Sequence, residues 1–177
     1  MYLNGFTPTM DRMSGRKPSA EKVPLLEPTH VLQAISGRYT SNLPLVGWVR
    51  ELGDMHAELI PVRATRTPQH RAGFCEQVRA GIDRVVHEID SWAARNISRT
   101  KGAPKHTHSL GEVLSHIAKI YAETWWTVLH SADEEARHRA WFHLSEAREG
   151  YAELVKEIQA RRLQLPLGWT GIRVCTE

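Results

Sequence analysis

The sequence predicts an all-α fold: an antiparallel four-helix bundle preceded by one short helix and flanked by extended termini. Three observations carry this. Four long stretches repeat apolar residues at three- and four-residue steps, the period of a helix with one buried side. The connections between them are short and hold Gly, Pro and polar residues, as expected between antiparallel neighbours. Ser109 followed by Glu112 forms a capping box that starts a helix at a defined residue. With 177 residues and 41% hydrophobic content, the chain has enough apolar mass for one core rather than two.

Residues 1–27 mix Gly, Pro, Ser and both charge signs without a period, and disorder is expected there. Pro28 opens a short helix through Ile35, with Gly37 as its stop. The first bundle helix spans 45–60: Leu45, Trp48, Val49, Leu52, Met55 and Leu59 form a stripe, with Arg50, Asp54 and Glu58 opposite. Pro61 is expected to end it, leaving 62–68 as a basic loop. The second has its stripe at Phe74, Val78, Ile82, Val85, Ile89 and Trp92 and reaches Ile97. After a polar turn over 96–105 comes the central helix, with Leu110, Val113, Leu114, Ile117, Tyr121, Thr124, Trp125 and Val128 on one side. Asp133, Glu134 and Glu135 mark the start of the last helix, because acidic residues suit a helix N-terminus. That helix carries Ala140, Leu144, Ala147, Tyr151, Leu154, Val155 and Ile158, places Arg161 and Arg162 in its final turn, and closes before Pro166. The bundle domain is thus 28–166, and 167–177 forms a tail.

Composition excludes several classes. No uninterrupted apolar run is long enough to span a membrane and the first residues lack a secretory signal, so a cytoplasmic protein is expected. Cys75 and Cys175 are far apart and suggest reduced thiols. A formal charge of +3 is mild. The Arg99, Lys101 and Lys105 loop has no recognition helix or stacking motif beside it, which argues against nucleic-acid binding.

The run His106-Thr107-x-Ser109-Leu110-Gly111, followed by Leu144-x-Glu146, Tyr151-x-x-Leu154-Val155-x-Glu157-Ile158 and Arg161-Arg162-Leu163-x-Leu165-Pro166, resembles a family of small actinobacterial proteins catalogued as a domain of unknown function. The resemblance covers residues 44–166, and family members more often carry an acidic residue where this chain has His108. It implies an all-helical fold and a connection with specialised metabolism.

Ten histidines raise the question of metal or acid–base chemistry. His87 and His116 fall on the polar sides of their helices and read as solvated surface. Glu135 and His138 match half of a di-iron carboxylate pattern, but no second half accompanies them. His106 and His108 could supply two zinc ligands, yet no third is evident, so no metal and no cofactor are expected. His56, within the stripe of its helix, and His143, at the edge of another, approach the core and are the candidate catalytic acid/base groups. Glu88 and Glu146 are the carboxylates placed to orient them.

Six tryptophans are distributed over the long helices. Trp48, Trp92, Trp125, Tyr121 and Tyr151 are candidates to line a small-molecule pocket between helices. Trp126 and Phe142 project opposite the apolar stripes and predict a homodimer interface. Two functions follow. One is a protein that handles an apolar or aromatic small molecule, as a metal-independent acid/base enzyme or an accessory protein of specialised metabolism. The other is a non-catalytic, dimeric protein-interaction module.

Overall fold

The computed structural model describes residues 24–65 and 68–166. It is all-helical: α1 (Pro28–Ile35), α2 (Pro44–Thr65), α3 (Pro68–Asn96), α4 (Leu110–His130) and α5 (Glu134–Gln159). No helix among the described residues is long and apolar enough to cross a membrane. Most of the segment expected to be disordered, and the whole tail from 167, lie outside the described residues. Leu25 and Leu26 do not share that expectation, because both are buried in the core ahead of α1.

Local chemistry sets several boundaries as the sequence implies. Ser109 Oγ accepts the Glu112 N–H and Glu112 Oε2 accepts the Ser109 N–H at 2.7 Å, so the capping box is complete. Asp133 caps α5 by accepting the Glu135 N–H. Gly37 takes φ +71° just past α1, a conformation that costs glycine nothing. Two boundaries differ. Pro61 lies inside α2, which runs on to Thr65, and α3 begins at Pro68 rather than near Phe74, so 62–65 is helix and not loop. Proline interrupts one turn of the ladder, and a long helix packed on its neighbours absorbs that cost. At the other end, α5 stops at Gln159 and Arg161 adopts a left-handed φ of 58°. Arg162 therefore lies past the helix and turns back to clamp Glu157 with both ends of its guanidinium.

The core is built on α4, which touches α1, α2, α3 and α5, and its closest partner is α2. Leu45, Val49 and Leu52 of α2, Val85 and Ile89 of α3, Leu110 and Leu114 of α4, and Leu144, Val155 and Ile158 of α5 are buried. α1 lies against α2, α4 and α5. Close approach at the crossings depends on small residues: a Cβ on Gly53 would meet the Ile35 side chain at 2.7 Å, and one on Gly111 would meet the Val86 carbonyl oxygen at 2.5 Å. α3 and α5 do not approach each other among the described residues, although both pack on α4. The helices therefore leave one side open instead of enclosing a shared interior. Tyr151, buried on α5, holds the chain before α1 by donating its hydroxyl to the Leu26 carbonyl at 3.0 Å. Tyr151→Phe removes that bond while leaving a buried carbonyl, and is expected to cost about 1 to 2 kcal/mol in urea denaturation.

Candidate functional site

The open side is a groove of about 1090 Å³ between α3 and α5, floored by α4. Its floor is apolar, with Ile82 and Val86 from α3, Val113, Ile117 and Ile120 from α4, and Tyr151 and Leu154 from α5. Above the floor, each helix contributes a polar strip at one-turn spacing. These are Asp83, His87 and Asp90 on α3, Glu112, His116 and Lys119 on α4, and His143 and Glu146 on α5, followed one turn later by Gly150. His56 and Ser115 complete the lining on the α2 side, and His106 and His108 stand at one end. Six of the ten histidines thus converge on one place.

Three arrangements fix these groups. His56 Nε2 lies 2.9 Å from the Ser115 hydroxyl, across the contact of α2 with α4. Burial, reinforced by the positive charge of Lys119 and then by His116, lowers His56 from its usual value near 6.5 to about 4, so the ring is neutral at pH 7. His116 is lowered as well, again first by burial and then by Lys119. Asp90 is 7% exposed and accepts the Gly111 N–H at 2.8 Å. Its carboxyl is shifted above the ordinary aspartate range by burial, against the Gly111 and Ser109 hydrogen bonds. The loop carrying His106 and His108 is tied down from beyond α5. Gln164 donates its N–H to Pro104, accepts the His106 N–H at 2.9 Å, and donates its side-chain amide to Ala103.

The candidate residues divide on this geometry. His56 and His143 both line the groove. His56 is half-buried as expected, whereas His143 is not at the core edge: its side chain is 60% exposed on the rim, where Nδ1 lies 3.7 Å from Glu146. Glu88 is exposed and is not part of the lining, because it falls one position beyond the groove-facing His87 on α3. Of the five aromatic candidates, Tyr151 lines the groove. Trp92 is buried in the core and Trp48 packs against it, so both fill space. Tyr121 and Trp125 border a second, smaller depression of about 170 Å³ towards α2.

The two adjacent tryptophans of α4 exchange their expected places. Trp125 is 42% exposed and meets Trp141 edge-on across the α4–α5 contact. Trp126 is half-buried, with its ring stacked at 3.8 Å on His130 of the next turn. Phe142, at 61%, is exposed as expected. α4 has neighbours on several sides, so its buried surface is broader than a single stripe, and the residue that faces outward is not the one opposite the stripe. His106 and His108 are less available as a ligand pair than their spacing implies. His106 Nδ1 lies 2.9 Å from the His108 carbonyl and 3.2 Å from its N–H, and serves that local turn. Among the described residues no three His, Cys, Asp or Glu side chains are grouped to hold a metal ion.

Asp90, His116, Ser115 and Lys119 belong to the site without having been singled out from the sequence. For Asp90, His116 and Lys119 the signal is the i, i+4, i+7 repetition of ionisable residues on α3 and α4, a second stripe beside the apolar one, and Ser115 has no such signal. No family model, no curated protein and no solved structure matches the chain.

Proposed function

We propose that this protein handles a small molecule with an apolar or aromatic body, held in the groove between α3 and α5. The helices then form an antiparallel bundle that is opened on one side to admit it. The observation that carries this reading is the joining, in one groove of about 1090 Å³, of an apolar floor with His56 and His143. Ligand sites have this construction: apolar walls for binding energy and a few polar groups for orientation. His56, held neutral and bonded to Ser115, offers a directional hydrogen bond at the floor. His143, with Glu146 beside it, is the imidazole–carboxylate pair suited to proton transfer at the rim. The connection with specialised metabolism expected from the sequence would suit such a role, as enzyme or accessory protein.

Gly150 gives a direct test, because it lines the groove and a Cβ there meets nothing within 4 Å, so a larger side chain starts from the helix without a clash at its Cβ. Gly150→Trp is expected to abolish saturation transfer from the protein to indole in solution NMR. Gly47→Trp, at a glycine equally free of neighbours on α2, should leave it intact. Equal transfer in both variants sinks the groove as the site.

A second reading is favoured by one specific observation, the cluster of Trp125, Leu129, Trp141 and Phe142, all at least 42% exposed at the joined ends of α4 and α5. Exposed apolar patches of this kind mark protein contacts. Beside the patch, Glu135 and Arg139 are ion-paired with each other one turn apart, so no unbalanced charge of that pair borders it. In this reading the protein is a homodimer acting through that face. Sedimentation velocity at micromolar concentration should then give a dimer, and Phe142→Glu a monomer; a monomeric wild type ends the idea.

A further inference from the structure

The charge on the groove narrows the class of molecule that fits it, an inference that rests on the ligand-handling reading above. The chain as a whole is formally +3, yet the groove carries four carboxylates against one lysine. Those carboxylates are spread over the walls and floor: Asp83 and Asp90 on α3, Glu112 on α4 and Glu146 on α5. Because they come from three helices, a ligand lying on the apolar floor has a negative group on either side. Lys119 is the single lysine against them; its ammonium is shared with Glu123 at 3.9 Å, one turn further along α4, although its charge still reaches His56 and His116. A concave surface with low-dielectric walls concentrates such a field above what the same charges produce on open surface.

The carboxylates are not taken up by partners that would neutralise them. Among the described residues, Asp83 has no ion pair, and Glu146 faces only the imidazole of His143. Glu112 is bound to the Ser109 N–H, which orients it without cancelling its charge, whereas Asp90, buried and held by the Gly111 N–H, is the least available of the four. His56, kept neutral by burial, adds a hydrogen-bonding group rather than positive charge, and His116 is shifted in the same direction. An anionic ligand would meet repulsion from both walls, and a neutral one would leave the field unused.

We infer that the groove selects a protonated amine carrying an apolar or aromatic body, with the body on the Ile117–Tyr151 floor and the ammonium between the carboxylates of α3 and α5.

The test compares three probes that share one ring system and differ in charge: tryptamine, tryptophol and indole-3-acetate. Titration calorimetry at pH 8 and low salt is expected to rank tryptamine above tryptophol by about tenfold or more, with indole-3-acetate weakest, and raising salt should shrink the gap. Asp83→Asn combined with Glu146→Gln, two changes at exposed rim positions, should bring tryptamine down to the tryptophol level while leaving tryptophol unchanged. Equal or tighter binding of indole-3-acetate overturns the charge inference while leaving the groove as a ligand site. So does a double variant that keeps the tryptamine preference. Failure of all three probes to bind overturns both.

Discussion

Gly111→Ala is expected to destabilise the protein by about 3 kcal/mol, lowering the melting temperature by about 6 to 12 °C. Gly111 is the second residue of α4, and the Cβ added there would sit 2.5 Å from the Val86 carbonyl oxygen, 2.9 Å from Val86 Cγ1 and 3.0 Å from Asp90 Oδ1. All three atoms belong to α3. The carbonyl is part of that helix's own backbone and has no rotamer by which to retreat, so the two helices must separate. Separation also stretches the 2.8 Å bond from the Gly111 N–H to Asp90, leaving a buried carboxylate short of a donor. Gly150→Ala is the matched control. It too places a methyl in a helix, but in open space, and it should stabilise by up to about 1 kcal/mol through helix propensity alone. Thermal and urea denaturation of the two variants should therefore move in opposite directions. A Gly111→Ala protein as stable as wild type would mean that the α3–α4 crossing is not held as described.

This contrast shows what a single sequence does and does not convey. Helix identity is local: the Ser109–Glu112 box, the acidic start of α5 and the stripes on α3 and α4 follow from residues a few positions apart. Pro61 is a local stop signal, yet α2 continues through it to Thr65. The groove depends on which pair of helices fails to meet, and periodicity within one helix does not specify that. His87 and His116 are exposed on polar faces, as their spacing indicates, and what their spacing does not show is that those faces border the same groove. Glu88, at the flank of its stripe, is exposed and outside the groove, whereas nothing in the sequence says that Asp90 is held from 21 positions away by Gly111. Trp125 and Trp126 were interchanged because α4 has neighbours on more than one side. Sequence located the polar stripes; only tertiary packing made them face one another.

Stability should fall by about 2 kcal/mol between pH 8 and pH 5 through His56 alone. Its folded value of about 4 lies below the 6.5 of an unfolded chain, so across this range the unfolded state binds more protons than the native one. Stability then rises with pH, is fully present above about 6.5 and is lost as pH falls towards 4. His116 is lowered in the same sense and adds to the slope, whereas the raised Asp90 acts in the opposite direction because its native state holds a proton more readily. The difference between wild type and His56→Gln separates the His56 contribution from these. Glutamine keeps a group able to bond Ser115 but cannot titrate, so the difference in stability between pH 8 and pH 5 should be smaller in the variant than in wild type by about 2 kcal/mol. An NMR titration of the His56 C2 proton in the folded protein gives an independent reading, with a midpoint expected near 4. A midpoint at the ordinary imidazole value, or pH profiles that run parallel in the two proteins, would show that the ring is solvated and that the groove floor lacks the neutral hydrogen-bonding group assigned to it.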